Sequence, residues 1–310
     1  MEKPRIEFYR QRTFSEKLNA TFDFIRENWK PLLKYAFYLI MPICLIQSFA
    51  INSVFDIYLG AMRNSAVTSS FDSSIYSIAA SYGVMLLCMM IGMALLSGLI
   101  YAMMQTYATR ENRLLDITLS DFKEALIRNA WKYLRITFLT MFASLFIGFA
   151  MAILAYVSTM TLILTIPLFF VLMILTVPLM MMIPVYIFER DIKLFGAIIK
   201  AWKLGIATIW SMLGFMVVIY IISSVIQSVT MMPWYLTVLI GSVFSFTSES
   251  AIDQSVIYKF AVYILGLIQS FGMYISVIIG IVGLAFHYFH AREKVEGITI
   301  ESNISNFNEL

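Results

Sequence analysis

Residues 136–157 read ITFLTMFASLFIGFAMAILAYV. The run begins directly after Arg135 and carries no charged side chain. A helix rises 1.5 Å per residue, so about 20 mostly apolar residues cross the hydrocarbon core of a bilayer. Ile136–Val157 is therefore a candidate transmembrane helix, and five further stretches satisfy the same reading: Leu32–Phe55, Ile78–Tyr107, Thr161–Phe188, Ile209–Met231 and Val256–His287. The predicted fold is an all-α integral membrane protein with about six transmembrane helices. The second, fourth and sixth runs exceed what a bilayer requires and should tilt, kink or protrude. In the fourth, Pro167, Pro178 and Pro184 give a kink a cause.

Composition agrees with the runs. Apolar residues make up 60% of the 310 and charged residues 13%, with a mean hydropathy of +0.82. A soluble protein has about 25% charged residues, enough to wet the surface of its core. Cys44 and Cys88 both sit inside apolar runs and read as small buried hydrophobes. Residues 1–30 are polar and charged, so the start of the chain predicts an uncleaved anchor in place of a cleavable signal.

The charges orient the runs. All 22 Lys and Arg residues except Arg63 and Lys259 fall in the N-terminal segment up to Lys34, the loops after the second and fourth runs, and the tail. Basic residues collect on the cytoplasmic side of membrane proteins. Both termini are thus expected in the cytoplasm, with the chain in the cytoplasmic (inner) membrane. The net charge of +3 is spread over all four segments, which points to anionic lipid headgroups as partners and to no nucleic acid.

The basic segments carry helical patterning. Phe14, Leu18, Phe22, Ile25 and Trp29 follow helix spacing, with Thr13 and Glu16 placed as a capping box. Leu119, Phe122, Leu126 and Tyr133 do the same behind Thr118 and Asp121, and Phe195, Ile199, Trp202, Ile206 and Ile209 form a third stripe. These predict amphipathic helices in the membrane interface, anchored by Trp29, Trp131, Trp202 and Trp210. A Trp-x-x-Leu step recurs at Trp29, Trp131 and Trp210, each followed by two spans. The order of elements repeats as well as the Trp, which favours three interfacial-helix-plus-hairpin units over a simple preference of Trp for interfaces. The expected layout is a single membrane domain over 1–310. It comprises a cytoplasmic segment 1–31, a first hairpin 32–107, a helix and second hairpin 108–188, a helix and third hairpin 189–290, and a tail 291–310. Between the spans, Asp56–Tyr76 and Met232–Ser255 are read as outer loops, the second holding a short interfacial or re-entrant helix.

Two stretches resemble a known family. Ile183-Pro184-Val185-Tyr186-Ile187-Phe188-Glu189 is followed by Ala201-Trp202-Lys203-Leu204, and the sixth run ends Tyr288-Phe289-His290-Ala291-Arg292-Glu293-Lys294-Val295-Glu296-Gly297. The chain resembles the glycerophosphoryl diester phosphodiesterase membrane-domain-like family of multipass proteins. That family typically shows Pro-Val-x-x-x-Glu, Ser-Trp-x-Leu and a final Tyr-Tyr-Asp-Leu-Arg…Glu-Gly. Ala201 stands where the family favours Ser, and His290 where it favours Asp. The phosphodiesterase domain is absent, so the resemblance implies a membrane fold and no activity.

The chemistry-bearing residues are few. His287 and His290 share a helix face with Glu293, a partial set of zinc ligands or simply a mark of the interface. Glu189 follows an apolar run and reads as a charge near the start of the third interfacial helix, where a helix N-terminus favours it. Mid-span polar residues are amides and hydroxyls, among them Gln47, Ser48, Ser97, Gln227 and Gln269, which argues against ion-coupled transport. No Gly-rich phosphate loop, HExxH or GxSxG occurs. No catalytic, cofactor or metal residues are assigned. Gly272, Ser276 and Gly280, Gly148 with Ala152, and Ala94 with Gly98 repeat small side chains every four residues, which suits close helix packing within the bundle or docking of another membrane protein. The sequence thus predicts a non-enzymatic accessory or assembly subunit bound to an integral membrane protein. The alternative is transport of lipid or small molecules through a groove between hairpins.

Overall fold

Two residues set where the first helix begins. Thr13 N–H donates to Glu16 Oε2 (2.7 Å) while Glu16 N–H reaches back to Thr13 Oγ1 (3.4 Å), the reciprocal capping box that the spacing predicts. Helix α1 (Phe14–Arg63) follows. Thr118 and Asp121 make one half of such a cap for α3: Thr118 N–H and Oγ1–H both donate to Asp121 Oδ2, at 2.8 and 2.9 Å. The computed structural model describes residues 4–63, 71–157, 167–168, 170–171, 174–189, 191–247 and 255–298. Besides α1 these form α2 (Phe71–Thr109), α3 (Leu119–Val157), a 3-10 segment (Val177–Met181), α4 (Met182–Phe188), α5 (Leu194–Ala207), α6 (Ile209–Thr247) and α7 (Val256–Glu296).

Five of these helices are long and apolar enough to cross a membrane: Phe14–Ile57, Tyr76–Thr109, Leu119–Ile153, Ile209–Val243 and Val256–Glu296. With no strand among the described residues, the chain is an all-helical multipass membrane protein. Of the fourth apolar run, residues 161–166, 169, 172 and 173 lie outside the described residues. What is described there is a short apolar helix, Ile174–Phe188. It tightens into 3-10 geometry at Pro178, whose missing N–H and fixed φ interrupt the α ladder.

The amphipathic and the wholly apolar stretches are continuous chain. α1 runs through both, with one break at Asn28 (φ −114°, ψ 18°). Pro31 lacks an N–H and its ring crowds the preceding turn. The side chain of Asn28 donates to the Phe24 carbonyl (2.9 Å). Thr208 separates α5 from α6 with a similar backbone (φ −127°, ψ 16°) and donates to the Leu204 carbonyl (2.9 Å). Trp29 and Trp210 follow these two breaks, whereas α3 passes Trp131 without one.

The loops expected at Asp56–Tyr76 and Met232–Ser255 are shorter than the apolar pattern predicts. α1 extends to Arg63, α2 starts at Phe71, and α6 continues through Pro233 to Thr247. The expected loop and short helix over 232–255 are therefore corrected: 232–247 is part of α6, and 248–254 lie outside the described residues. A proline inside a helix forfeits the backbone bond to the carbonyl four residues earlier, here that of Val229, which spanning helices tolerate; Thr237 Oγ1–H donates to the Pro233 carbonyl at 2.8 Å.

The chain divides into two compact units. The first comprises Met1–Pro31, Ser97–Ile219 and Ile279–Leu310. Its core is aromatic: Phe8 stacks on Tyr107 and Phe289 (centroids 5.8 and 5.0 Å) and meets Phe24 and Phe286 edge-on. Close backbone approaches fix its helix pairs. A Cβ on Gly205 would lie 2.5 Å from Pro178 Cα, and one on Gly98 would lie 2.8 Å from the Leu126 carbonyl. The second unit comprises Leu32–Leu96 and Tyr220–Ile278. In it Tyr274 O–H donates to Gln47 Oε1 (2.8 Å), Ser48 donates to the Tyr263 carbonyl (2.8 Å) and Trp234 Nε1–H donates to Asn52 Oδ1 (2.9 Å). Cys44 and Cys88 are reduced and buried there, as their apolar flanks predict.

Candidate functional site

The last turns of α7 present two polar faces inside the first unit. Tyr288, Arg292 and Glu296 recur every four residues and share one face, while His287 and His290 lie on another. Four charges close a ring on the first face. Lys200 of α5 lies 2.9 Å from Glu189 Oε1 and 2.8 Å from Glu296 Oε1. Arg292 Nε lies 2.8 Å from Glu296 Oε2 and 3.7 Å from Glu189 Oε1. Tyr288 O–H donates to Glu189 Oε1 at 3.2 Å, and an Arg292 N–H reaches the Tyr9 hydroxyl at 3.3 Å. Two acids and two bases neutralise one another, so the ring clasps α5, α7, the end of α4 and residue 9. Burial raises the Tyr9 phenol above its ordinary value, and the neighbouring Arg292 opposes the shift.

Glu189 is therefore placed differently from its sequence reading. It caps the C-terminus of α4, not the N-terminus of α5, which starts at Leu194 behind Lys193. The cations Lys200 and Arg292 satisfy its charge. The helix-dipole argument does not apply because α5 begins only five residues after Glu189.

On the other face, Lys17 is fully buried. Its ammonium donates to Ser211 Oγ (2.6 Å), lies 3.2 Å from His287 Nδ1 and sits over the Phe215 ring. Thr208 spends its only hydroxyl proton on the Leu204 carbonyl. The contact between Thr208 Oγ1 and His287 Nε2 (3.3 Å) must then run from a protonated Nε2. That leaves Nδ1 as a lone-pair acceptor for Lys17, so His287 is held neutral. His290 Nδ1 likewise accepts the Arg12 backbone N–H (3.0 Å). Both histidines thus serve as acceptors that tie the N-terminal segment and α1 to α7. Arg12 turns its guanidinium to the Phe8 and Glu7 carbonyls and lies over Phe286. Burial lowers its pKa from the ordinary arginine value, with Arg10 adding to the effect. Among the described residues no three His, Cys, Asp or Glu side chains gather as a ligand set.

A third feature opens outward from the first half of α3. Arg128, Trp131, Lys132 and Arg135 line an open groove of about 490 Å³. Their spacing of three, four and seven places them on one helix face.

No family model, curated protein or solved structure matches this chain.

The small-residue positions take different places. In the second unit Gly272 packs directly against Thr230, and Ser276 is buried with its hydroxyl donating to the Met273 carbonyl. In the first, Gly280 meets Ile219 at ordinary contact distance and Gly98 meets α3. Gly148 has open space around it and Ala152 is exposed. Of the tryptophans, Trp29, Trp131 and Trp210 are exposed, Trp210 to 84%, and Trp202 is half-buried. The apolar stripes of α1 and α5 face outward, with Phe14, Phe22, Phe195 and Ile199 exposed, whereas the stripe read on α3 turns inward: Leu119 is exposed but Phe122 and Leu126 are buried. The inner faces carry Lys17, Ala20, Thr21, Phe24 and Asn28, then Phe122, Leu126, Asn129 and Ala130, then Ala197, Ala201, Leu204 and Gly205.

Lys17, Arg12, Tyr9, Lys200 and Glu296 were missed as site residues. In sequence Lys17, Arg12 and Lys200 read only as members of the basic segments, Glu296 only as part of a motif, and Tyr9 carried no signal. The one usable signal was the spacing of Lys17, Thr21, Phe24 and Asn28, a second helical stripe running beside the apolar one.

Proposed function

We propose that the chain is a non-catalytic accessory or assembly subunit that docks on another integral membrane protein through the second half of α3. One observation carries this: residues 141–150 are all exposed, and the apolar window of α3 is 6% buried against 28%, 44% and 56% for α1, α2 and α7. Ser144, Gly148 and Ala152 recur every four residues along it. In a bilayer, where lipid tails are as apolar as Leu, such stripes allow the close packing that drives helices together. The reading places six crossings as three hairpins in an inner membrane, each behind an interfacial helix, with both termini in the cytoplasm. The lopsided basic residues and the outward apolar stripes of α1 and α5 support it. The family resemblance belongs to the same reading, supported by the meeting of Glu189, Tyr288, Arg292 and Glu296, all residues of the resembling motifs.

The test is gentle extraction of a tagged copy from its native membrane, with mass spectrometry of the co-purifying proteins. A membrane partner in stoichiometric amount, lost in Gly148→Leu while the variant stays folded, is the expected result. A lone chain, or a partner that Gly148→Leu retains in full, contradicts it. A second reading, handling of lipid, is favoured by the basic groove on the first half of α3.

A further inference from the structure

The groove on α3 lies where the chain changes solvent. Arg135 is the last charged residue before the apolar run that begins at Ile136, so Arg128 to Arg135 occupy the final two turns before hydrocarbon. Three cations project from this short stretch. Arg128 and Arg135 are exposed, and among the described residues neither has an ion-pair partner. Lys132 is pinned. Its ammonium donates to the Tyr186 carbonyl (2.6 Å), reaches the Glu189 carbonyl (3.5 Å) and lies over the Tyr186 ring (5.0 Å). Those carbonyls end α4, the negative pole of that helix, so the charge of Lys132 stays at the groove wall while its side chain is immobile. Asp191 acts on Lys132 electrostatically without forming an ion pair with it. Trp131 stands between the cations, 60% exposed.

Such a set calls for an anion at a fixed depth. Guanidinium groups present paired N–H donors that match phosphate oxygens. Arg128 and Arg135 stand about 10 Å apart along the helix axis, within reach of a single headgroup by their flexible stems. An indole at this position suits the glycerol level of a bilayer, with its ring apolar and its N–H polar. A soluble phosphate would use the two arginines but has no part to lay against Trp131 or the apolar surface beyond Arg135.

We propose that Arg128, Trp131, Lys132 and Arg135 form a binding site for the phosphate headgroup of an anionic glycerophospholipid. The two guanidinium groups hold phosphate oxygens, the pinned ammonium adds charge, and Trp131 lies against the glycerol and upper acyl chain. The site occupies the part of α3 before the run proposed to dock a partner, and its occupancy does not depend on that docking.

The experiment uses the purified full chain in mixed micelles and measures quenching of tryptophan fluorescence by brominated phosphatidylglycerol and brominated phosphatidylcholine. The Trp131 contribution is the part of the quenching lost in Trp131→Phe. The expected result is half-saturation of that contribution at a much lower mole fraction of phosphatidylglycerol than of phosphatidylcholine. Each basic side chain beside anionic headgroups is worth about fivefold, so Arg128→Gln with Arg135→Gln should weaken phosphatidylglycerol binding roughly 25-fold. Arg128→Lys with Arg135→Lys, which keeps charge and loses the paired donors, should fall between. Lys123→Gln with Lys203→Gln removes two exposed cations elsewhere and should leave the Trp131 signal intact. Equal quenching by the two lipids overturns the proposal. So does an equal loss in the Lys123 and Lys203 variant, which would make the effect a diffuse one of net charge. Displacement of the lipid by inorganic phosphate at matching concentration would assign the groove to a soluble anion and overturn the lipid assignment.

Discussion

Arg12 and His290 stand 278 positions apart in the chain and 3.0 Å apart in the fold. Their bond is the type of contact that no local pattern announces. The caps Thr13–Glu16 and Thr118–Asp121 were legible because both partners lie within one turn; the clasp around Glu189 was not, because its partners come from three separate helices. Breaking the two kinds of contact should read differently. His290→Phe leaves the buried Arg12 N–H without an acceptor, a cost of about 1–3 kcal/mol. That loosens residues 4–12, so trypsin should cut after Arg10 and Arg12 about tenfold faster than in the native chain, with the rest of the digest unchanged. Glu189→Gln leaves Lys200 and Arg292 facing each other with Glu296 alone between them. These side chains are only 13–25% exposed, between the surface and fully buried limits. The expected loss is about 1–3 kcal/mol, seen as a lower Tm in detergent. Glu16→Gln, at an exposed cap, should lower the Tm less than Glu189→Gln by the same measurement.

Helix identity is carried by apolar periodicity and run length, which is why α1, α2, α3, α6 and α7 were readable from composition along the chain. Their ends were not. The apolar runs stop at Phe55 and Met231, yet the helices continue to Arg63 and Thr247, because hydrogen bonding persists after hydrophobicity has faded. The packing faces were also hidden. The stripe of Phe14, Phe22 and Trp29 is exposed, as an anchoring face should be, but the neighbouring face that packs, with Lys17, Ala20, Thr21 and Phe24, reads in sequence as polar. In a bilayer an exposed apolar face is well solvated, and the protein interior takes the small and polar residues instead. Gly205 tests that principle at element scale. Its missing Cβ lets α5 lie against Pro178. Gly205→Val should cost about 2–3 kcal/mol through overpacking, whereas Gly148→Val on the open face of α3 should leave the Tm of the isolated chain within about 1 kcal/mol. A comparison of the two melting curves checks both.

For the whole molecule, the multipass α-helical class follows from hydropathy alone, since lipid leaves helices and closed barrels as the only spanning forms. Crossing number and sidedness rest on the charge distribution and on the short apolar helix Ile174–Phe188. With six crossings the segments holding Arg10, Asp116, Lys193 and Lys294 share the cytoplasm, and those holding Asp56 and Lys259 face outward. With five, Lys193 and Lys294 move to the outer side while Asp116 stays in. Single cysteines at these positions, in a chain with Cys44 and Cys88 replaced by alanine, can be labelled in intact cells with a membrane-impermeant maleimide. The account predicts labelling at 56 and 259 at once, and at 10, 116, 193 and 294 only after permeabilisation. Labelling of 193 and 294 from outside would contradict it.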